Sequence, residues 1–163
     1  MLGTCQSYSR EAEKIVAQVR MREGAVLIKN CSKMIQAKDA ELEKVTQRLE
    51  KEIKKSVARS VSGSRGALVG VKSVNRTKLQ MEKIVQVKAY LEEMIVKTKQ
   101  IMIAGKAEPA KMILPTDMET LKKEIKKIEK QVEKSESTTT ISTIEDSERF
   151  LMELQQVEAS QGP

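Results

Sequence analysis

The sequence predicts an all-α protein, a long antiparallel helical hairpin followed by two shorter helices. Three observations point there. Only three aromatic rings occur in 163 residues, so a core must be built from Ile, Val, Leu and Met rather than from the large rings that fill compact α/β domains. A third of the residues are charged and only three are Pro, a composition of long helices. Apolar residues recur three, four or seven apart over long stretches, the spacing that lines one side of a helix.

Residues 1–9 carry no such pattern and are expected to be a flexible lead-in. The basic hairpin core is expected over 10–105. In its first arm, Ile28, Cys31, Ile35, Leu42, Val45, Leu49, Ile53 and Val57 form one apolar row, with Gly24 the only breaker before the turn. Fifty residues of helix at about 1.5 Å each reach on the order of 75 Å, so this arm needs an equally long neighbour. Ser60-Val61-Ser62-Gly63-Ser64-Arg65-Gly66 concentrates small breakers and places the turn near 60–67. The row resumes through Leu68, Val71, Val74, Met81, Ile84, Val87, Leu91, Met94 and Ile101. It stops at Gly105, read as a C-terminal glycine with Pro109 beyond it.

After a linker, a third helix is expected within 106–134. Thr116 as N-cap and Glu119 three residues later form a capping box. Met118, Leu121, Ile125, Ile128 and Val132 continue as a heptad row. The Ser/Thr run from Ser135 to Thr140 interrupts the pattern. Ser142 with Glu145 can then cap a short last helix bearing Ile144, Leu151, Leu154 and Val157, inside an acidic regulatory segment over 135–163.

Absent residues narrow the chemistry. With no His there is no Ser-His-Asp or Cys-His relay and no imidazole ligand for a metal, so no enzyme, cofactor or small-molecule substrate is expected. Cys5 and Cys31 are too few for a disulfide framework or a thiolate zinc site and suit a reducing, intracellular setting. No stretch is long and apolar enough for a secretory signal or a membrane span, and Gly3 misses the myristoylation position. Gly63, Gly66 and Gly70 lack the spacing and the Lys of a phosphate-binding loop. Glu92-Glu93 and Glu145-Asp146 read as solvated surface charge, and the nine Met residues as filler along the helix seams. Tyr8, Tyr90 and Phe150 are too scattered to stack bases.

Charge is sorted along the chain. Residues 1–105 carry a net +10, residues 106–163 a net −3, and residues 135–163 alone a net −5. At about 100° per residue, Arg22, Lys29, Lys33, Lys44, Lys51 and Lys55 share a sector opposite the apolar row, where the only acid is Glu11. Such a stripe, about 50 Å long, can face an anionic lipid surface or a nucleic acid backbone.

The run Leu42-Glu43-Lys44 through Leu49-Glu50-Lys51-Glu52-Ile53-Lys54-Lys55, the small-residue turn, and Ala67-Leu68 leading through Lys72, Arg76 and Lys78 to Gln80-Met81-Glu82-Lys83-Ile84 resemble the core hairpin of ESCRT-III subunits, the charged multivesicular body proteins. The likeness covers roughly residues 10–158 and rests on layout and charge polarity. It implies a protein that is closed when its acidic tail folds on the basic hairpin. Opened, it would polymerise with itself or with related subunits on anionic membranes and constrict them in vesicle formation and protein sorting. The implied location is cytoplasmic and peripheral, on endosomal or other membranes. A C-terminal helix of that family is bound by the MIT domain of an AAA ATPase, and Glu148, Leu151 and Leu154 approximate the recognised spacing, without the Arg expected after the first Leu. Two other readings stand beside it: a helical coiled-coil scaffold or adaptor for protein partners, and a basic accessory protein that binds nucleic acid through the same stripe.

Overall fold

The computed structural model describes residues 2–60 and 64–137, and these are all-helical, with no strand among them. Three α-helices follow in order: α1 (Leu2–Ser60), α2 (Ser64–Ala107) and α3 (Met118–Ser137), with a single 3₁₀ turn, Pro109–Lys111, between α2 and α3. Two compact units form. The first gathers Met1–Lys38 with Val87–Lys127, and the second gathers Asp39–Gln86 with the end of α3 from Ile128 onward.

In the first unit, Leu27 and Cys31 of α1 are buried, as are Val87, Leu91, Met94 and Thr98 of α2 and Leu121 and Ile125 of α3, together with Met112 from the connection. The α1 and α2 segments run antiparallel here. A β-carbon on Gly24 would stand 2.9 Å from Met102 Sδ, while Gln18 and Met21, earlier in α1, line one concavity with Gly105 and Lys106, later in α2. Glu108, which precedes Pro109, leaves the helical region at φ −133° and ψ 83° because the proline ring crowds the residue before it. The chain then turns tightly, with Met112 N–H donating to the Pro109 carbonyl at 3.2 Å. Arg20 of α1 fastens this turn by donating to the Met112 carbonyl at 2.6 Å.

In the second unit the buried set is Val45 and Ser56 of α1, Val71, Val74, Thr77 and Ile84 of α2, and Val132 of α3. Three contacts fix an antiparallel pairing of α1 with α2. Arg48 donates to Gln80 Oε1 at 3.3 Å, Ser73 Oγ donates to Glu52 Oε2 at 2.7 Å, and Ser56 packs on Gly70. As the numbers rise along α1 they fall along α2. Lys83 of α2 ion-pairs with Glu133 of α3. The buried hydroxyls do not need cross-helix partners: Ser56 Oγ bonds the Glu52 carbonyl at 2.7 Å and Thr77 Oγ1 the Ser73 carbonyl at 3.1 Å, each one turn back in its own helix. Among the described residues no buried side-chain polar atom lacks a partner.

Several boundaries differ from the sequence reading. Helix α1 begins at Leu2 rather than near Arg10, and α2 begins at Ser64, so only 61–63 of the expected 60–67 turn lie between the helices. Gly70, a few residues further on, serves close approach against Ser56. Gly105 does not end α2, which runs to Ala107; it lies under Met112, in a space that a side chain would fill. The N-cap of α3 is Asp117, not Thr116: Asp117 Oδ1 accepts from Thr120 N–H at 2.7 Å, and the Thr116 hydroxyl turns to the Asp117 carbonyl at 3.1 Å. Glu119 therefore closes no capping box. Helix α3 starts at Met118 and continues to Ser137, past the start of the Ser/Thr run. The expected last helix and the rest of the acidic segment lie outside the described residues.

Candidate functional site

The candidate site is the face of α1 turned away from its buried row. In the first unit Leu27 and Cys31 point inward, while Arg22, Lys29 and Lys33 are exposed. In the second unit Val45 and Ser56 point inward, while Lys44, Lys51 and Lys55 are exposed. Each triplet is spaced seven and four residues apart, which at about 100° per residue keeps its members within roughly 40° of one another. The structure thus places all six of the expected cations on the outer surface of α1.

Several lysines on the other helices are engaged with carboxylates. Lys97 reaches Glu93 at 2.8 Å, Lys127 reaches Glu124 at 3.1 Å, and Lys83 is paired with Glu133. Among the described residues none of the six site cations makes an ion pair or a side-chain hydrogen bond. Unpaired ammonium and guanidinium groups in a row hold their donors open to an anionic surface. Arg20 is close in sequence but opposite in role, since its guanidinium is spent on the Met112 carbonyl. The expected partner-binding residues Glu148, Leu151 and Leu154 lie outside the described residues.

The sequence reading missed the apolar component of this face. Ile15, Val19 and Val26 are 61%, 45% and 54% exposed, and they share one face with Arg22, Lys29 and Lys33, the six following one another at intervals of four and three. The spacing is present in the chain, but aliphatic residues interspersed with cations carry no mark of the side of the helix they occupy. Beside it, Arg22, Val26, Ile113, Pro115 and Thr116 line an open concavity of about 720 Å³ in the first unit.

The groups with perturbed titration are structural. Burial raises the Cys31 thiol above its ordinary value, which keeps it protonated and a poor nucleophile. Burial, followed by the Glu124 carboxylate, raises the Tyr90 phenol. The backbone N–H of Thr120 holds Asp117 below the usual carboxylate value, and Lys83 does the same for Glu133. Among the described residues no cluster of three potential metal ligands occurs, and no helix is long and apolar enough to cross a membrane. Comparison of the chain with family models, with curated proteins and with solved structures finds no match.

Proposed function

We propose that this chain is an ESCRT-III-like subunit that adsorbs to anionic membranes and polymerises there with itself or related subunits, with no catalytic step of its own. In this reading α1 and α2 zip into one long antiparallel hairpin, and the acidic segment over 135–163 restrains it until it is released. The protein then works from the cytoplasmic side, peripheral to an endosomal or other membrane. The observation that carries the reading is a triplet of exposed cations on α1 in each unit, unpaired among the described residues. The antiparallel pairing of α1 with α2 inside each unit supports the hairpin.

The energetics are sufficient for reversible binding. A Lys or Arg beside an anionic leaflet contributes about 1 kcal/mol, so a row of six can hold the protein to a surface without a lipid anchor and release it when salt rises. Residues 138–163 of that segment, one Arg against five acids and so a net −4, compete for the same cations. Removing residues 138–163 should therefore increase co-sedimentation with anionic liposomes at low salt. Unchanged or reduced pelleting would contradict restraint by the tail, and a defined monomer or dimer that ignores liposomes altogether would favour a protein-binding scaffold.

A further inference from the structure

The face formed by Ile15, Val19, Arg22, Val26, Lys29 and Lys33 mixes two chemistries. Its members follow one another at 4, 3, 4, 3 and 4 residues, so all six fall in one sector of α1 within the first unit. Three are exposed aliphatic side chains and three are exposed cations. Ile113, 69% exposed, adds a fourth aliphatic group where it lines the same concavity as Val26 and Arg22. The corresponding face of α1 in the second unit is different. There Ala40, Lys44, Gln47, Lys51 and Lys55 are exposed, with no large aliphatic side chain among them.

Spacing of four and three is also the spacing of a helix–helix seam, so a second copy is the first occupant to consider. Charge argues against it. The positions where such a seam needs apolar knobs are held by Arg22, Lys29 and Lys33, and a like face would bring these cations together with no acid in the sector from Ile15 to Lys33. What accepts cations and aliphatic groups side by side along one face is an anionic lipid surface: phosphates take the charges and the upper acyl region takes the valines and isoleucine. Lys and Arg have stems long enough to keep their heads among the phosphates while the shorter aliphatic groups go deeper.

We propose that the outer face of α1 over residues 15–33 inserts Ile15, Val19 and Val26 into the headgroup and upper acyl layer of an anionic bilayer, while Lys44, Lys51 and Lys55 only adsorb to its phosphates. This rests on the membrane-binding reading above and divides it into two parts of different physical origin. The first part resists salt, because transfer of apolar surface is not screened, and the second is removed by it. The two halves of α1 therefore have distinct tasks: one anchors, the other steers.

The chain contains no Trp, so a single indole reports depth without background. In the full chain, Val19→Trp and, separately, Gln47→Trp would be mixed with vesicles of phosphatidylserine and phosphatidylcholine whose acyl chains carry bromine. The indole at 19 should shift to the blue and lose at least half its emission; the indole at 47 should do neither. The triple variant Ile15→Ser, Val19→Ser, Val26→Ser, with helicity equal to that of the parent, should lose roughly ten- to a hundredfold of its vesicle affinity at about 1 M salt, where charge is screened within about 3 Å. Binding at low salt that vanishes at high salt, with the indole at 19 unquenched, would overturn the insertion and leave the membrane reading standing. A blue shift at 19 that grows with protein concentration in the absence of vesicles would overturn it in favour of a second copy. Absence of binding at every salt would overturn both.

Discussion

Met112 is folded onto Gly105 so closely that a β-carbon on the glycine would stand 3.0 Å from both Cβ and Cγ of the methionine. The contact closes the end of the first unit: the chain leaves α2, turns at Pro109 and returns Met112, 1% exposed, to the helix it has just left. Because the root of the methionine side chain is involved as well as its flexible tip, it cannot simply swing away.

Gly105→Ala should therefore destabilise the protein by about 1–2 kcal/mol, the overpacking cost exceeding the usual gain from alanine in a helix. Met112→Ala alone should cost about 2–5 kcal/mol through the cavity it leaves. The double variant should cost less than the sum of the two, since each change relieves the other. Thermal or urea unfolding of the four proteins checks this, and strict additivity would show that the two residues are not packed as described.

Gly70 makes a comparable demand in the second unit, where a β-carbon would meet Ser56 Oγ at 2.6 Å and its Cα at 3.1 Å. Here the obstacle includes backbone. Gly70→Ala should destabilise by about 2–3 kcal/mol by forcing α1 and α2 apart. Gly70→Ala with Ser56→Gly should recover part of the loss in an unfolding experiment.

Asp117 caps α3, and its carboxylate is held below its ordinary value of 3.8 by the Thr120 N–H. A group with a depressed folded value stabilises above its unfolded value and loses that contribution as pH falls through the folded one. The cap should thus act fully above about pH 4 and fade below it. Asp117→Ala should lower the melting temperature at pH 7 and make little difference at strongly acidic pH. Asp117→Asn keeps an acceptor in place and should remove the difference between the two pH values instead. Melting curves of the three proteins across this range decide it.

What could be read from the chain follows from what periodicity encodes. The inner rows were legible in part because burial repeats every three to four residues: Cys31, Val45, Val71, Val74, Ile84, Val87, Leu91, Met94, Leu121, Ile125 and Val132 are buried, while Ile28, Ile35, Leu42, Leu49 and Ile53 of the α1 row are half-buried. Leu27, adjacent to the expected Ile28, and Met112, outside any helix, were missed because a few degrees of helix rotation or a returning loop leaves no periodic mark. The glycines misled for a related reason. Gly is needed both where a chain turns and where two elements touch, and only the fold shows that Gly70 and Gly105 belong to the second kind. At the cap, Thr116 and Asp117 are chemically equivalent candidates one residue apart, and the difference lies in which oxygen reaches Thr120. The cations were legible as a sector, whereas the pairing of Lys83 with Glu133, 50 residues away, required the fold.

The position of a lysine on the outer face of α1, or off it, sets its expected effect. Replacing Lys44, Lys51 and Lys55 together by Ser should weaken binding to anionic liposomes roughly a hundredfold at low salt, from about 1 kcal/mol for each. Replacing Lys97, which is engaged with Glu93, should leave it nearly unchanged. Liposome titrations at two salt concentrations measure both, and equal losses from the two substitutions would mean that the α1 face has no special role.

The membrane polymer itself is tested most directly by negative-stain electron microscopy of the full chain and of the chain without residues 138–163, each incubated with anionic vesicles at low salt. The account predicts ordered strands or tubes on the vesicles, denser with the shortened chain. Bare vesicles with both proteins would contradict it.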